Sequence, residues 1–195
     1  MNLLIKSRIV FIQLTILFFI SNKGWTQNAP YVIFLEKINT NLPAVHSNAI
    51  AQYQQYWLII GGRTNGLHGM STNDGFPGEY INNDIIVIDT TNWSYQSISL
   101  NLMPDSVAAP LRSSNMLFLQ EDSLLYMAGG FGYDSTLNNY VTFPVLTKFN
   151  IPNIIQAVYN NYPLNNSLVQ LKSNFFSVCG GELLKLNNNY FLCFG

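Results

Sequence analysis

Charge is scarce in this 195-residue chain and neither sign dominates: nine lysines and arginines stand against ten aspartates and glutamates. No basic run or stripe exists on which phosphates could be neutralised, so no nucleic-acid partner is expected. Cysteine is almost absent, with Cys179 and Cys193 as the whole supply. If residues 183–186 and 190–194 form a hairpin about Asn187-Asn188-Asn189, Cys193 lies opposite roughly residue 183. Cys179 is then roughly 13 Å away along the strand, beyond the Cα separation that a disulfide allows. Buried thiols, or partners outside this sequence, are the expected states.

Long apolar runs are also lacking. The single candidate, Ile9 to Ile20, covers twelve residues, where a helix needs about 20 to cross a bilayer. It follows Lys6 and Arg8 and precedes the polar stretch Ser21 to Gln27, the three-part layout of a secretory signal peptide. Cleavage near residue 26 is expected, leaving a mature chain with no transmembrane span. It would be secreted, periplasmic or held at the cell surface.

Catalytic and ligand-binding motifs are missing in the same way. The chain has no GxSxG, no GxxxxGK[ST], no GxGxxG and no HExxH. His68, Asp74 and Glu79 share one polar segment, but at a spacing that fits neither a zinc nor an EF-hand pattern. No metal, no cofactor and no catalytic residue is therefore assigned.

No stretch sustains an apolar i, i+3, i+4, i+7 stripe for helix length. From residue 28 on, the chain reads as short strands between clusters of Asn, Gly, Pro and Ser. These strands recur. Tyr56-Trp57-Leu58-Ile59-Ile60-Gly61-Gly62 is echoed by Leu124-Leu125-Tyr126-Met127-Ala128-Gly129-Gly130, and again by Tyr190 to Gly195. Gly129 follows Gly61 by 68 residues and Gly195 follows Gly129 by 66. A second half follows the first two copies, Asp84 to Asp89 with Trp93 to Ile98, then Val145 to Asn150 with Ile154 to Val158. That predicts four strands per repeat. Runs such as Trp57 to Ile60 are apolar at every position, so both faces of their sheet must be covered. Four-stranded sheets stacked around an axis meet that demand.

These features resemble the kelch repeat. Gly61-Gly62 and Gly129-Gly130 match its glycine pair, with Gly195 beginning a third; His46 and Arg112 match the Pro-containing lead-in to its first strand, and Trp93 its aromatic position. His46 reads as a structural residue. The resemblance implies an all-β, kelch-like propeller of four-stranded antiparallel blades. Two would be complete, residues 43–100 and 101–159, and residues 160–195 would supply a linker and the first half of a third. The fragment would then be incomplete, about two and a half blades, with Tyr31 to Ile38 in the N-terminal segment 27–42 as the closing strand of a blade otherwise absent.

Loops that join strands two to three, and blade to blade, should emerge on one rim. The long ones are 63–83, 131–143, 99–111 and 160–175, and long loops on a rigid scaffold are where binding concentrates. The expected function is non-catalytic binding of a protein or glycan outside the cytoplasm. The alternative is the N-terminal part of an exported propeller enzyme, a galactose-oxidase-like oxidase or a sugar epimerase, with its active residues elsewhere.

Overall fold

The computed structural model describes residues 32–34, 41–66 and 76–194. The expected signal peptide, most of the expected closing strand, His68, Asp74 and Gly195 lie outside the described residues. Val32, Ile33 and Phe34 are exposed and belong to no strand. A compact unit begins at Thr40.

Antiparallel β-structure dominates this unit. Strands β1 (Ala49–Tyr53), β2 (Tyr56–Ile60), β3 (Asp84–Asp89) and β4 (Ser94–Ser99) form one four-stranded sheet in sequence order. A second contains β5 (Leu117–Glu121), β6 (Leu124–Ala128), β9 (Pro144–Asn150) and β10 (Leu168–Ser177). The hairpin of β7 (Phe131–Asp134) and β8 (Asn139–Thr142) is inserted between β6 and β9, and β11 (Gly181–Leu186) with β12 (Asn189–Phe194) makes a further two-stranded sheet. No helix among the described residues is long and apolar enough to span a membrane.

The unbroken apolar runs do what their pattern requires. Leu58, Ile60, Ile85 and Val87 are buried in one cluster, while Ile59, Ile86 and Ile88 are buried in another with Trp57 and Trp93 packed against it. Each such aliphatic side chain contributes about 1.5 to 3 kcal/mol on leaving water. The first cluster also takes in Met127 and Phe149 of the second sheet, so the two sheets share a core. The far side of the second sheet, at Leu117 and Ala128, meets Val178 and Leu183.

The same junction is built twice. The Gly62 amide donates to the Ser113 carbonyl, and the Gly130 amide donates to the Val178 carbonyl, each at 2.8 Å. In the reverse direction the Asn115 amide donates to Ser47 at 3.0 Å, and the Gly180 amide to Asn115 at 2.8 Å. Backbone in the left-handed region recurs in step, at Ser47, Asn115 and Gly180, and at the hairpin residues Gln54, Asp122 and Asn187. Side chains repeat the theme. Gln120 reaches back to both backbone groups of Gln52, and Lys185 reaches back to Glu121. Gly129 shows why the pair must be glycine, because a Cβ there would lie 2.0 Å from the Val178 oxygen.

Four expectations need correction. Ile154 to Val158 is not a strand: it lies in helix α2 (Ile151–Asn160), whose Asn150 N-cap accepts from the Asn153 amide at 3.0 Å and whose C-cap Asn161 is left-handed. Ile151, Ile154, Ile155 and Val158 are an i, i+3, i+4, i+7 set after all, buried in the core that includes β1 to β4. The fourth strand of the second sheet is instead β10, which occupies the second half of the expected 160–175 loop. Ala109-Pro110-Leu111 is not the lead-in to a strand but the end of helix α1 (Asp105–Leu111). The lead-in match of His46 with Arg112 also misses by two residues, since the bridges keep the 68-residue interval of the glycine pairs. The bridge His46 to Arg63 is repeated by Ser114 to Phe131, so Ser114 and not Arg112 stands where His46 does.

Candidate functional site

Three of the four expected loops meet at one cavity of about 210 Å³. The segment after β2 provides Arg63, Phe76, Ile81 and Asn83; the β7–β8 hairpin provides Phe131, Tyr133, Ser135 and Tyr140; α1 and its C-cap provide Asp105 and Arg112. The fourth, 160–175, contributes no residue to this lining, and its second half is strand β10. Two larger cavities, of 340 and 350 Å³, are lined by Tyr53, Tyr56 and Tyr159 and by Met103, Tyr162 and Leu164 among others, with no charged side chain among the described residues of either lining.

Arg63 is placed by its backbone, which bridges both His46 and Ile81. Its residue is only 4% exposed. The guanidinium donates from Nη2 to the Pro77 carbonyl at 2.5 Å and from Nε to Asn65 Oδ1 at 3.4 Å. It lies 5.1 Å from the centre of the Phe76 ring, a cation–π distance. Burial pulls its pKa below the usual arginine range, with Tyr140 opposing. Arginine starts so high that the group stays charged at neutral pH. No carboxylate pairs with Arg63 among the described residues.

Arg112 is differently served. It forms an ion pair with Asp105 at 2.7 Å and donates to Asn101 at 2.9 Å, while its Nε is buried without a hydrogen-bond partner. The Ser135 hydroxyl, then Arg112, holds the Asp105 carboxyl below its ordinary range. Among the described lining residues, two cations therefore face one anion.

The walls are aromatic. Phe131 stacks on Tyr140 with centroids 5.7 Å apart, and Phe76 meets Phe131 edge-on at 5.2 Å. The Tyr140 hydroxyl donates to the Phe76 carbonyl at 2.7 Å, tying the hairpin to the segment after β2. Gly132 sits where a side chain would press on Phe143, at 3.0 Å, and on the Ser113 backbone.

The other residues singled out in the sequence fall away from this cavity. Gly61, Gly62, Gly129 and Gly130 serve the sheet junctions, and Trp93 packs edge-on against Trp57 at 5.8 Å. Glu79 is exposed in a short 3-10 turn. No group of three metal-ligating side chains occurs among the described residues. Cys179 is a free thiol whose pKa burial raises, and the strand register sets Cys193 opposite Glu182.

Among the described residues, His46 makes a contact chain with a catalytic look. Its Nδ1 lies 3.0 Å from Ser47 Oγ and its Nε2 3.3 Å from Asn65 Oδ1. A nucleophile, base and orienter are arranged in that order in acyl-transfer enzymes. Here the unusual backbone of Ser47 belongs to the repeat, since Asn115 and Gly180 share it, and none of the three residues lines the cavity. Arg63 and Tyr140 were not singled out in the sequence, because nothing local marks residues brought together by the inserted hairpin. No protein-family model matches the chain, and no curated protein does.

Proposed function

We propose that the chain is part of a kelch-like β-propeller that acts outside the cytoplasm as a non-catalytic module binding a protein or glycan at the loop-built cavity. The observation that carries this reading is the convergence of insertions from two successive sheets on one preformed pocket. That pocket offers aromatic walls and a buried cation, and no serine or cysteine is paired with a histidine among its described lining residues. The propeller component is supported by the junction that recurs between neighbouring sheets and by strands buried on both faces. Export is supported by the layout of residues 1–26.

The test is to produce the chain through a secretion pathway and measure binding to panels of soluble glycans and extracellular proteins, alongside a screen for hydrolase, oxidase and epimerase turnover. Saturable binding without turnover is expected. Turnover that disappears in Ser47→Ala or His46→Ala protein overturns the non-catalytic reading and assigns the chemistry to the Ser47, His46 and Asn65 chain.

A further inference from the structure

We propose that the cavity is the subsite for one uronate residue of an acidic polysaccharide, with the carboxylate held by Arg63 and the sugar ring against the aromatic wall. The proposal rests on the binding-module reading and names its ligand class.

Three observations converge on it. Arg63 is nine-tenths buried yet has no carboxylate partner among the described residues, and its two hydrogen bonds go to a carbonyl and an amide oxygen. Burying a guanidinium without a counter-ion is costly, and the cost is recovered when an anion arrives. The only carboxylate among the described lining residues, Asp105, is already committed to Arg112 and Ser135. One positive charge is thus left over, which a single carboxylate neutralises. The guanidinium is also held in advance, by its backbone bridges, by Pro77 and Asn65, and by Phe76, so little ordering remains when a ligand binds.

The volume and walls choose between carboxylates. At about 210 Å³ the cavity lies below the range of about 300 to 1,000 Å³ typical of drug-sized sites, which suits one sugar ring and not an extended segment. Phe76, Phe131, Tyr133 and Tyr140 give the cavity an aromatic lining, which suits the C–H face of a pyranose. An aspartate or glutamate side chain would reach Arg63 on a thin stem and leave that apolar lining uncovered. Asn83, Ser114 and Tyr133 in the same lining can meet ring hydroxyls.

The experiment is calorimetric titration of the secreted chain with tri-galacturonate, with neutral galactotriose and with tri-glutamate, on wild-type, Arg63→Gln and Arg63→Lys proteins. Tri-galacturonate should bind at least tenfold more tightly than either control. Arg63→Gln should lose tenfold or more of that affinity, Arg63→Lys should lose less, and neither change should alter affinity for galactotriose. If Arg63→Gln does not fold, the wild-type protein is titrated by NMR, where the Arg63 Nε–H and Tyr140 ring resonances should move with tri-galacturonate.

Stationary resonances, or equal affinity for the neutral and acidic trimers, overturn the uronate assignment while leaving a glycan-binding module. Tighter binding of tri-glutamate, lost in Arg63→Gln, overturns it in favour of an acidic peptide. Turnover of any trimer contradicts the binding-module reading itself.

Discussion

Replacing Gly129 with alanine should cost about two to four times what the same change costs at Gly180. The two glycines have nearly the same backbone, with φ of 67° and 68°. An alanine in that region carries about 1 to 2 kcal/mol of strain, offset by about 0.4 to 1 kcal/mol from stiffening the unfolded chain. At Gly180 nothing lies within 4 Å of the added Cβ, so the net loss there should be about 1 kcal/mol. At Gly129 the Cβ would sit 2.0 Å from the Val178 oxygen and 2.8 Å from the Phe176 oxygen, both backbone atoms that cannot swing aside.

Relief of that clash must draw the 176–178 segment away and break the 2.8 Å bond from the Gly130 amide to Val178. A buried donor left unpaired adds about 1 to 3 kcal/mol. The sum for Gly129→Ala is then about 2 to 4 kcal/mol. Urea titration followed by Trp57 and Trp93 fluorescence reads the difference. With a slope of about 2 kcal/mol per molar urea, the midpoint should fall by about 1 to 2 M for Gly129→Ala and about 0.5 M for Gly180→Ala. Gly61 repeats the geometry, with a Cβ 2.6 Å from the Ser113 oxygen, and should rank with Gly129. Midpoints for Gly129→Ala and Gly180→Ala within about 0.3 M of each other would refute the argument from backbone contact.

Two further outcomes test the core and the cavity's ion pair. Phe149 on β9 is fully buried in the cluster that joins the two larger sheets, so Phe149→Ala should cost about 3 to 5 kcal/mol by urea denaturation. Phe149→Leu should cost less than about 1.5 kcal/mol; a loss for the alanine variant below about 1 kcal/mol would show that the sheets do not share that core. The Asp105 side chain is 42% exposed, so solvent screening holds its pairing with Arg112 to about 0.2 to 1 kcal/mol. Its pKa is depressed, so that contribution is present above the unfolded value near 3.9 and is lost as pH falls through the folded value. Asp105→Asn should therefore be the less stable protein at pH 7, with the gap closing below about pH 4; a gap independent of pH would mean the carboxylate charge is not what stabilises.

The sequence by itself determined the β character, the repeat and its glycine pairs. Tyr56 to Ile60 and Asp84 to Asp89 are apolar at nearly every position, and a run of that length between turn residues has few ways to hide both faces other than as a covered strand. The hairpin at Asn187 was legible because asparagine tolerates the left-handed backbone it adopts there. Ile151 to Val158 was not legible, because five apolar residues in eight fit a buried strand as well as a helix. The Asn150 cap and the helix's place on the shared core settle it. Displacing that segment from the sheet moves the fourth strand on to Leu168–Ser177, which no local pattern near Asn160 announces. The cavity belongs wholly to the tertiary structure. Arg63 and Tyr140 are far apart in the chain, and only the inserted β7–β8 hairpin, tied down by the Tyr140 hydroxyl on Phe76, encloses an arginine that the sequence presents as an ordinary polar residue beside a glycine pair.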